Sequence, residues 1–153
     1  MNIIYCDYEN PKHTDALKTL LNAYIADEMG GGEILDKEAQ DSLIKRLNAH
    51  KTAIVLLAKR EDEFAGLVIA FENIATFAAK PMINIHDIIV LKKYRSNGVG
   101  RELMNAIVDE AKKRGCFRVT LEVREDNKIA RNLYKSMDFR ETNPKMLYLR
   151  KEL

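Results

Sequence analysis

An α/β fold built on a mixed sheet is predicted, on three observations. First, an apolar run at 84–91 passes through Arg95-Ser96-Asn97-Gly98-Val99-Gly100 into an amphipathic segment, and an alternating run at 118–123 follows. A strand, a helix and a second strand in that order make a parallel crossover. Second, the apolar runs 52–58 and 64–71 flank the charged stretch Lys59-Arg60-Glu61-Asp62-Glu63, the pattern of an antiparallel hairpin. Third, two helical patterns precede that hairpin, so helices and strands are interleaved rather than segregated.

Each element has a local reason. Residues 2–6 are short and apolar enough for a first strand. Asn10-Pro11 then offers a capping side chain followed by proline at the first helical position. Leu17, Leu20, Leu21, Tyr24 and Ile25 recur at helical spacing until Gly30-Gly31-Gly32 breaks the pattern. Asp36 caps a second helix with Leu43, Ile44 and Leu47 on its stripe. After the hairpin and the strand at 84–91, a helix from Val99 carries Leu103, Ile107 and Ala111, with Met104 and Val108 beside them. Lys112-Lys113-Arg114 and Gly115 close it, as the dipole and the left-handed helix end favour. Asn127 to Met137 is helical, with Ile129, Leu133 and Met137 aligned, and 146–149 is a last strand. The expected order is βααβββαβαβ, with a further short strand near Phe139.

Composition narrows the function classes. With 153 residues and 46% hydrophobic content, residues 1–153 have the size of a single domain. The formal charge of +2 comes from acids and bases spread evenly, so no basic face for nucleic acid is expected. Apolar runs fall short of the roughly 20 residues a bilayer requires, and the start lacks a signal-peptide pattern, so a cytoplasmic protein without a membrane partner is expected. Cys6 and Cys116 have no metal or redox spacing and read as reduced core residues. His13, His50 and His86 form no ligand pattern, and no metal is expected.

The glycine turn carries the chemistry. The first N–H groups of a helix lack internal partners and carry partial positive charge, and glycine lets a phosphate reach them. Lys92, Lys93, Arg95 and Arg101 surround this turn. The dinucleotide pattern would need a third glycine where Leu103 stands, and Gly-Lys-Ser or Gly-Lys-Thr occurs nowhere. A turn used only for close strand–helix packing is the other reading. The remaining pattern, Arg95-x-x-Gly98-x-Gly100, together with Ile88-Ile89-Val90 before it and Asn127-x-x-Ala130-x-x-Leu133-Tyr134-x-x-x-Asp138-Phe139 after it, resembles the GCN5-related N-acetyltransferase (GNAT) family. That family usually has glycine at the place of Asp138; aspartate also adopts the left-handed backbone.

The resemblance implies a GNAT-like fold and an enzyme that transfers an acetyl group from acetyl-CoA to a primary amine by direct attack. By its matching positions, Arg95, Ser96, Asn97, Gly98, Val99, Gly100 and Arg101 bind the pyrophosphate, and a bulge or splay in the strand lets the backbone at Ile88, Ile89 and Val90 hold the pantetheine arm and the thioester oxygen. Tyr134 is implied as the general acid for the leaving thiolate, and Asn127 as a helix cap that also contacts the cofactor. His86 is a candidate base, because a pKa near neutral suits proton removal from an ammonium. It stands where diamine and polyamine acetyltransferases of this family carry glutamate, with Asp87 at their following aspartate. Strand alternation puts His86 and Asp87 on opposite faces unless the strand is irregular. A structural histidine and a water relay stay open beside the base. Asp27, Glu28 and Glu33 around the three glycines would attract a small cationic acceptor, with Glu72 and Asp87 bordering the same cleft. Acetylation of a protein N-terminus or lysine, and a non-catalytic CoA-binding module, are the rival readings. Dimers are common among such proteins, and a homodimer is compatible with this reading.

Overall fold

A computed structural model describes all residues, 1–153. It divides into two units, Met1–Glu122 and Val123–Leu153. The first holds strands β1 (Asn2–Tyr5), β2 (Ala53–Arg60), β3 (Glu63–Ala75), β4 (Lys80–Val90) and β5 (Val119–Leu121). It also holds helices α1 (Pro11–Ile25), α2 (Lys37–Ala49) and α3 (Val99–Lys113). The second holds α4 (Lys128–Lys135). No helix is long and apolar enough to cross a membrane.

The sheet runs β1-β2-β3-β4-β5, antiparallel through β4 and parallel between β4 and β5. The mixed sheet follows from α3, since a helical crossover returns the chain parallel to the strand it left. Its faces are set by alternation. Val55, Leu57, Leu67 and Ile69 point to one side, where Leu17, Leu20, Leu21 and Leu47 of α1 and α2 cover them. Leu56, Val68 and Ala70 point to the other side, toward α3 with its buried Val99, Leu103, Met104 and Ile107. The three expected caps form: Asn10 accepts from Lys12 N–H, Asp36 from Ala39 N–H, and Asn127 from Ala130 N–H.

Gly66 sets how closely these layers approach. A Cβ added there would lie 2.7 Å from the Ile89 carbonyl oxygen, 3.0 Å from Leu103 Cδ1 and 3.2 Å from Val99 Cγ1. A side chain would therefore push the end of β4 and the start of α3 away from β3. Gly66→Ala is expected to destabilise by about 2 kcal/mol, as overpacking does, read as a drop in Tm of several degrees in thermal unfolding. An unchanged Tm would mean that the contact relaxes freely.

Three expectations need correction. The hairpin turn is tighter than the five charged residues suggested, since Arg60 already pairs with Glu63 across Glu61 and Asp62. Strands β3 and β4 extend to Ala75 and from Lys80, around a short 3-10 turn at Thr76–Ala78, so 72–83 is hairpin and not connection. The strand at 146–149 is absent, as is one near Phe139. Met146, Leu147, Tyr148 and Leu149 favour strands by type, but a strand exists only through a partner's hydrogen bonds, and here they are 69–84% exposed without a ladder. Both cysteines are free and half-buried; Cys6 packs against the core, where burial pushes its thiol up to about 11.

Candidate active site

The decisive irregularity lies in β4. Ile69 pairs with Asp87 and its neighbour Ala70 with Ile85, which leaves His86 as an inserted residue. The hydrogen bonds agree. Ile83 N–H donates toward β5, to Arg118 O at 3.1 Å, while Leu91 N–H donates toward β3, to Ala65 O at 3.0 Å. Residues an even number apart point the same way in a regular strand, so one extra residue must intervene.

This bulge has two consequences. Pairing with β5 ends at Ile85↔Leu121, and beyond it the peptide groups of Ile88 and Val90 turn to the open edge. Val90 O accepts there from Arg95 Nε at 3.1 Å. Ile89 is placed differently from what the resemblance implied, with its peptide group toward β3 and its side chain in the α1–α2 core. The bulge itself lies at His86, earlier than the 88–90 expected.

The second consequence concerns His86 and Asp87. Asn84 faces Phe71, and Asp87 faces Ile69, both on the α1–α2 side, so the insertion carries His86 and Asp87 onto one face. Opposite faces, expected from alternation, are thereby corrected. The His86 ring meets Phe71 edge-on at 5.9 Å, and Phe71 meets His50, the C-cap of α2, at 4.8 Å. Burial pushes the Asp87 carboxyl above its ordinary range, with the nearby His86 pulling it back down. A carboxylate kept partly dry is a stronger base and a stronger attractor of a cation than one in water.

At the glycine turn, α3 is the one α-helix whose N-cap supplies no side chain. Gly98 holds that place at φ 81°, preceded by Ser96 at φ 63°, with no capping hydrogen bond. A Cβ added at Gly98 meets nothing within 4 Å, so open space lies before the first turn. Asn97 and Arg101 are exposed there, and Val99 turns its side chain into the core. These residues fit a diphosphate: donors without a cap, glycine in front of them and cations nearby. Gly98→Val is expected to weaken acetyl-CoA binding at least tenfold, by standing in that space and by forcing a β-branched residue to positive φ at about 1–2 kcal/mol. Titration calorimetry checks it, and unchanged affinity would remove the turn from the donor site.

Several expected residues are engaged elsewhere. Arg95 Nη2 donates to Asp27 Oδ2 at 2.8 Å, so a supposed phosphate ligand and a supposed amine ligand hold each other. The guanidinium, and then Met29 N–H, keep the Asp27 carboxyl below the usual range. Lys93 bonds Glu63, which also accepts from the Tyr94 hydroxyl. Glu72 sits on the α3 side, opposite to Asp87, and accepts from Arg114 Nη1 at 3.0 Å. It leaves the acceptor set, because β3 alternation sends it to the other face. Glu28 and Glu33 are exposed on the α1–α2 connection. Sequence reasoning missed Phe71 and His50, whose meeting with His86 has no signature in local spacing.

In the second unit, Tyr134 is 7% exposed, and its ring packs against Phe139 with centroids 6.1 Å apart. Asp138 takes φ 63°, the left-handed backbone expected of the residue in the family's glycine place. Arg131 braces this unit through the Glu125 carbonyl and the Glu141 carboxylate, each at 3.0 Å.

Known proteins resemble this chain in sequence and in fold. YhfO of Bacillus subtilis, an uncharacterized N-acetyltransferase, is 27% identical over 107 residues, 69% of this chain and 71% of its own. The L-ornithine N5-acetyltransferase NATA1 of Arabidopsis thaliana is 38% identical over 73 residues, 48% of this chain and 32% of its own. The ribosomal protein bS18-alanine N-acetyltransferase of Escherichia coli is 34% identical over 80 residues, covering 50% of this chain and 54% of that one. Among solved structures, a probable acetyltransferase superposes with a TM-score of 0.85 at 23% identity, over 100% of this chain and 99% of that one. AAC(6')-Iy, in complex with the bisubstrate analog CoA-S-monomethyl-acetylneamine, superposes with a TM-score of 0.79 at 17% identity, over 99% of this chain and 98% of that one. The model of the acetyltransferase (GNAT) family matches residues 17–139, and the chain therefore belongs to that family of N-acetyltransferases, for which acetyl-CoA is the donor.

Proposed function

We propose that this protein acetylates the primary amine of a small cationic acceptor, by direct attack of the amine on the thioester of acetyl-CoA. The bulge at His86 is the observation that carries this reading. It frees the peptide groups of Ile88 and Val90 on one edge and gathers His86 and Asp87 on the face covered by α1 and α2. The backbone N–H groups of Gly98, Val99 and Gly100, where no side chain caps α3, take the diphosphate, aided by the exposed Lys92 and Arg101. Asp87 attracts the ammonium, and His86 or Asp87 accepts a proton from it, directly or through water. The neutral nitrogen then bonds to the carbonyl carbon, the carbon–sulfur bond breaks, the Tyr134 phenol protonates the thiolate, and the second proton lost by the new amide nitrogen passes through solvent to restore the phenol. Tyr134 holds this role by its place in the family pattern, which the matched span includes. That span also crosses both units, which supports reading residues 1–153 as one catalytic domain. A cytoplasmic setting, where thiols stay reduced, suits the free Cys6 and Cys116.

Asp87 on the acceptor face favours a compact polycation, a diamine or polyamine, over a neutral amine. Incubation of the full chain with acetyl-CoA and a panel of diamines, polyamines, aminoglycosides and peptides, with thiol release and product mass as readouts, tests the reading. Turnover confined to peptide N-termini or lysines would replace the small-molecule acceptor. Binding of acetyl-CoA without turnover on any amine would favour a regulatory module instead.

A further inference from the structure

The Arg95–Asp27 pair joins two loops that the reaction must hold in register. Arg95 lies in the donor loop, directly before Ser96 and Gly98, and Asp27 in the α1–α2 connection, 68 residues away in the chain. One guanidinium makes two bonds of different kind. Its Nε reaches the Val90 carbonyl on the open edge of β4 at 3.1 Å, and its Nη2 reaches Asp27 at 2.8 Å. Asp27 is likewise used twice. Its Oδ1 accepts from Met29 N–H at 3.1 Å, and its carbonyl accepts from Gly30 N–H at 2.9 Å and Gly31 N–H at 3.2 Å. Asp27 therefore holds the start of the glycine-rich connection through its carbonyl and one carboxylate oxygen, and anchors the donor loop through the other. Its side chain is only 16% exposed, against 38% for Arg95, so the acid is the sheltered member of the pair.

We propose that Asp27 is a positioning residue for the donor site: through Arg95 it fixes the Val90 edge and the following glycine turn in the geometry that receives acetyl-CoA. This rests on the acetyltransferase reading above, in which Asp87 attracts the ammonium, and takes Asp27 out of the acceptor set that the sequence suggested. The fork geometry of arginine makes the device directional, because a lysine could not hold the carbonyl and the carboxylate in one plane. It also ties the acceptor-side connection to the donor loop, so that disturbance of one is felt at the other.

Opposite signs separate this role from its rivals. Acetyl-CoA is a polyanion, so removing a nearby negative charge should, by charge alone, tighten its binding. If Asp27 positions Arg95, Asp27→Asn instead raises the acetyl-CoA Kd, about fivefold for a partly exposed pair. Asp27→Glu, which keeps the charge and can re-form the bond, recovers part of that loss. Arg95→Lys behaves like Asp27→Asn. The measurement is calorimetric titration of each full-length variant with acetyl-CoA, at a temperature where circular dichroism shows it folded, together with KM for the amine. An acetyl-CoA Kd that is unchanged or lowered in Asp27→Asn, with a raised amine KM, overturns the proposal and returns Asp27 to the acceptor. Equal weakening by Asp27→Asn and Asp27→Glu, with a fall in Tm, overturns it in favour of a purely structural role. Failure of the wild-type chain to bind acetyl-CoA at all is a different result, which removes the donor-site reading itself.

Discussion

Asp87→Asn is expected to lower kcat about a hundredfold while raising Tm. The two effects share one cause. Burial holds the Asp87 carboxyl above its ordinary range, so the folded protein favours its neutral form. A carboxyl raised in the folded state contributes stability that is present below its unfolded pKa and lost as pH rises through the folded value. At neutral pH the ionised side chain therefore costs stability, and an uncharged amide of the same shape removes that cost. The gain in Tm should shrink as pH falls and vanish where the unfolded carboxyl is also protonated, near pH 4. Activity moves in the opposite direction, because the amide neither accepts a proton nor attracts an ammonium, and a positioned acid or base contributes about 10²–10⁴-fold. Thermal melts from pH 4 to 8, paired with kcat for the best amine, give both readouts. A raised Tm with unchanged kcat would assign base duty to His86 or to water. A lowered Tm would mean that Asp87 is held by favourable bonds in the folded chain. His86→Gln separates the two candidates, since loss of the acidic limb of the kcat/KM profile would mark the histidine.

Tyr134→Phe should lower kcat by about 10²-fold with little change in the acetyl-CoA Kd. The ring is buried, and its contact with Phe139 survives the loss of one oxygen, so the packing of α4 is retained. A hydroxyl in such a place contributes only about 1 kcal/mol to stability, and Tm should fall by a few degrees at most. A leaving thiolate that must find its proton in bulk water, in contrast, slows the step that breaks the carbon–sulfur bond. Pre-steady-state thiol release distinguishes the roles. Unaltered release together with a markedly lower Tm would make Tyr134 a core residue and nothing more.

These experiments test features that differ in how far the sequence announces them. Helix starts are legible because a cap needs only a short polar side chain beside a helical stripe, as Asn10, Asp36 and Asn127 show. The glycine turn is equally local: Gly98 adopts positive φ at the mouth of α3, and Asp138 does so after α4. The mixed sheet follows from the spacing of strands around a crossover helix. In each case the deciding forces act within a few residues. The last strand failed for the complementary reason: Met146 to Leu149 carry the propensity, but pairing depends on an edge elsewhere.

The amino-acid order alone determined most of the elements, their caps, the glycine turn before α3 and the family. Only the tertiary structure decided where β4 gains its extra residue, and hence that His86 and Asp87 share a face with Phe71 and that Ile89 belongs to the core. It also decided that Arg95 and Asp27 hold each other, and that Glu72 turns to Arg114. A bulge is a mismatch between two strands, and an ion pair is a meeting of distant segments. Neither exists in one stretch of chain, so neither can be read from it.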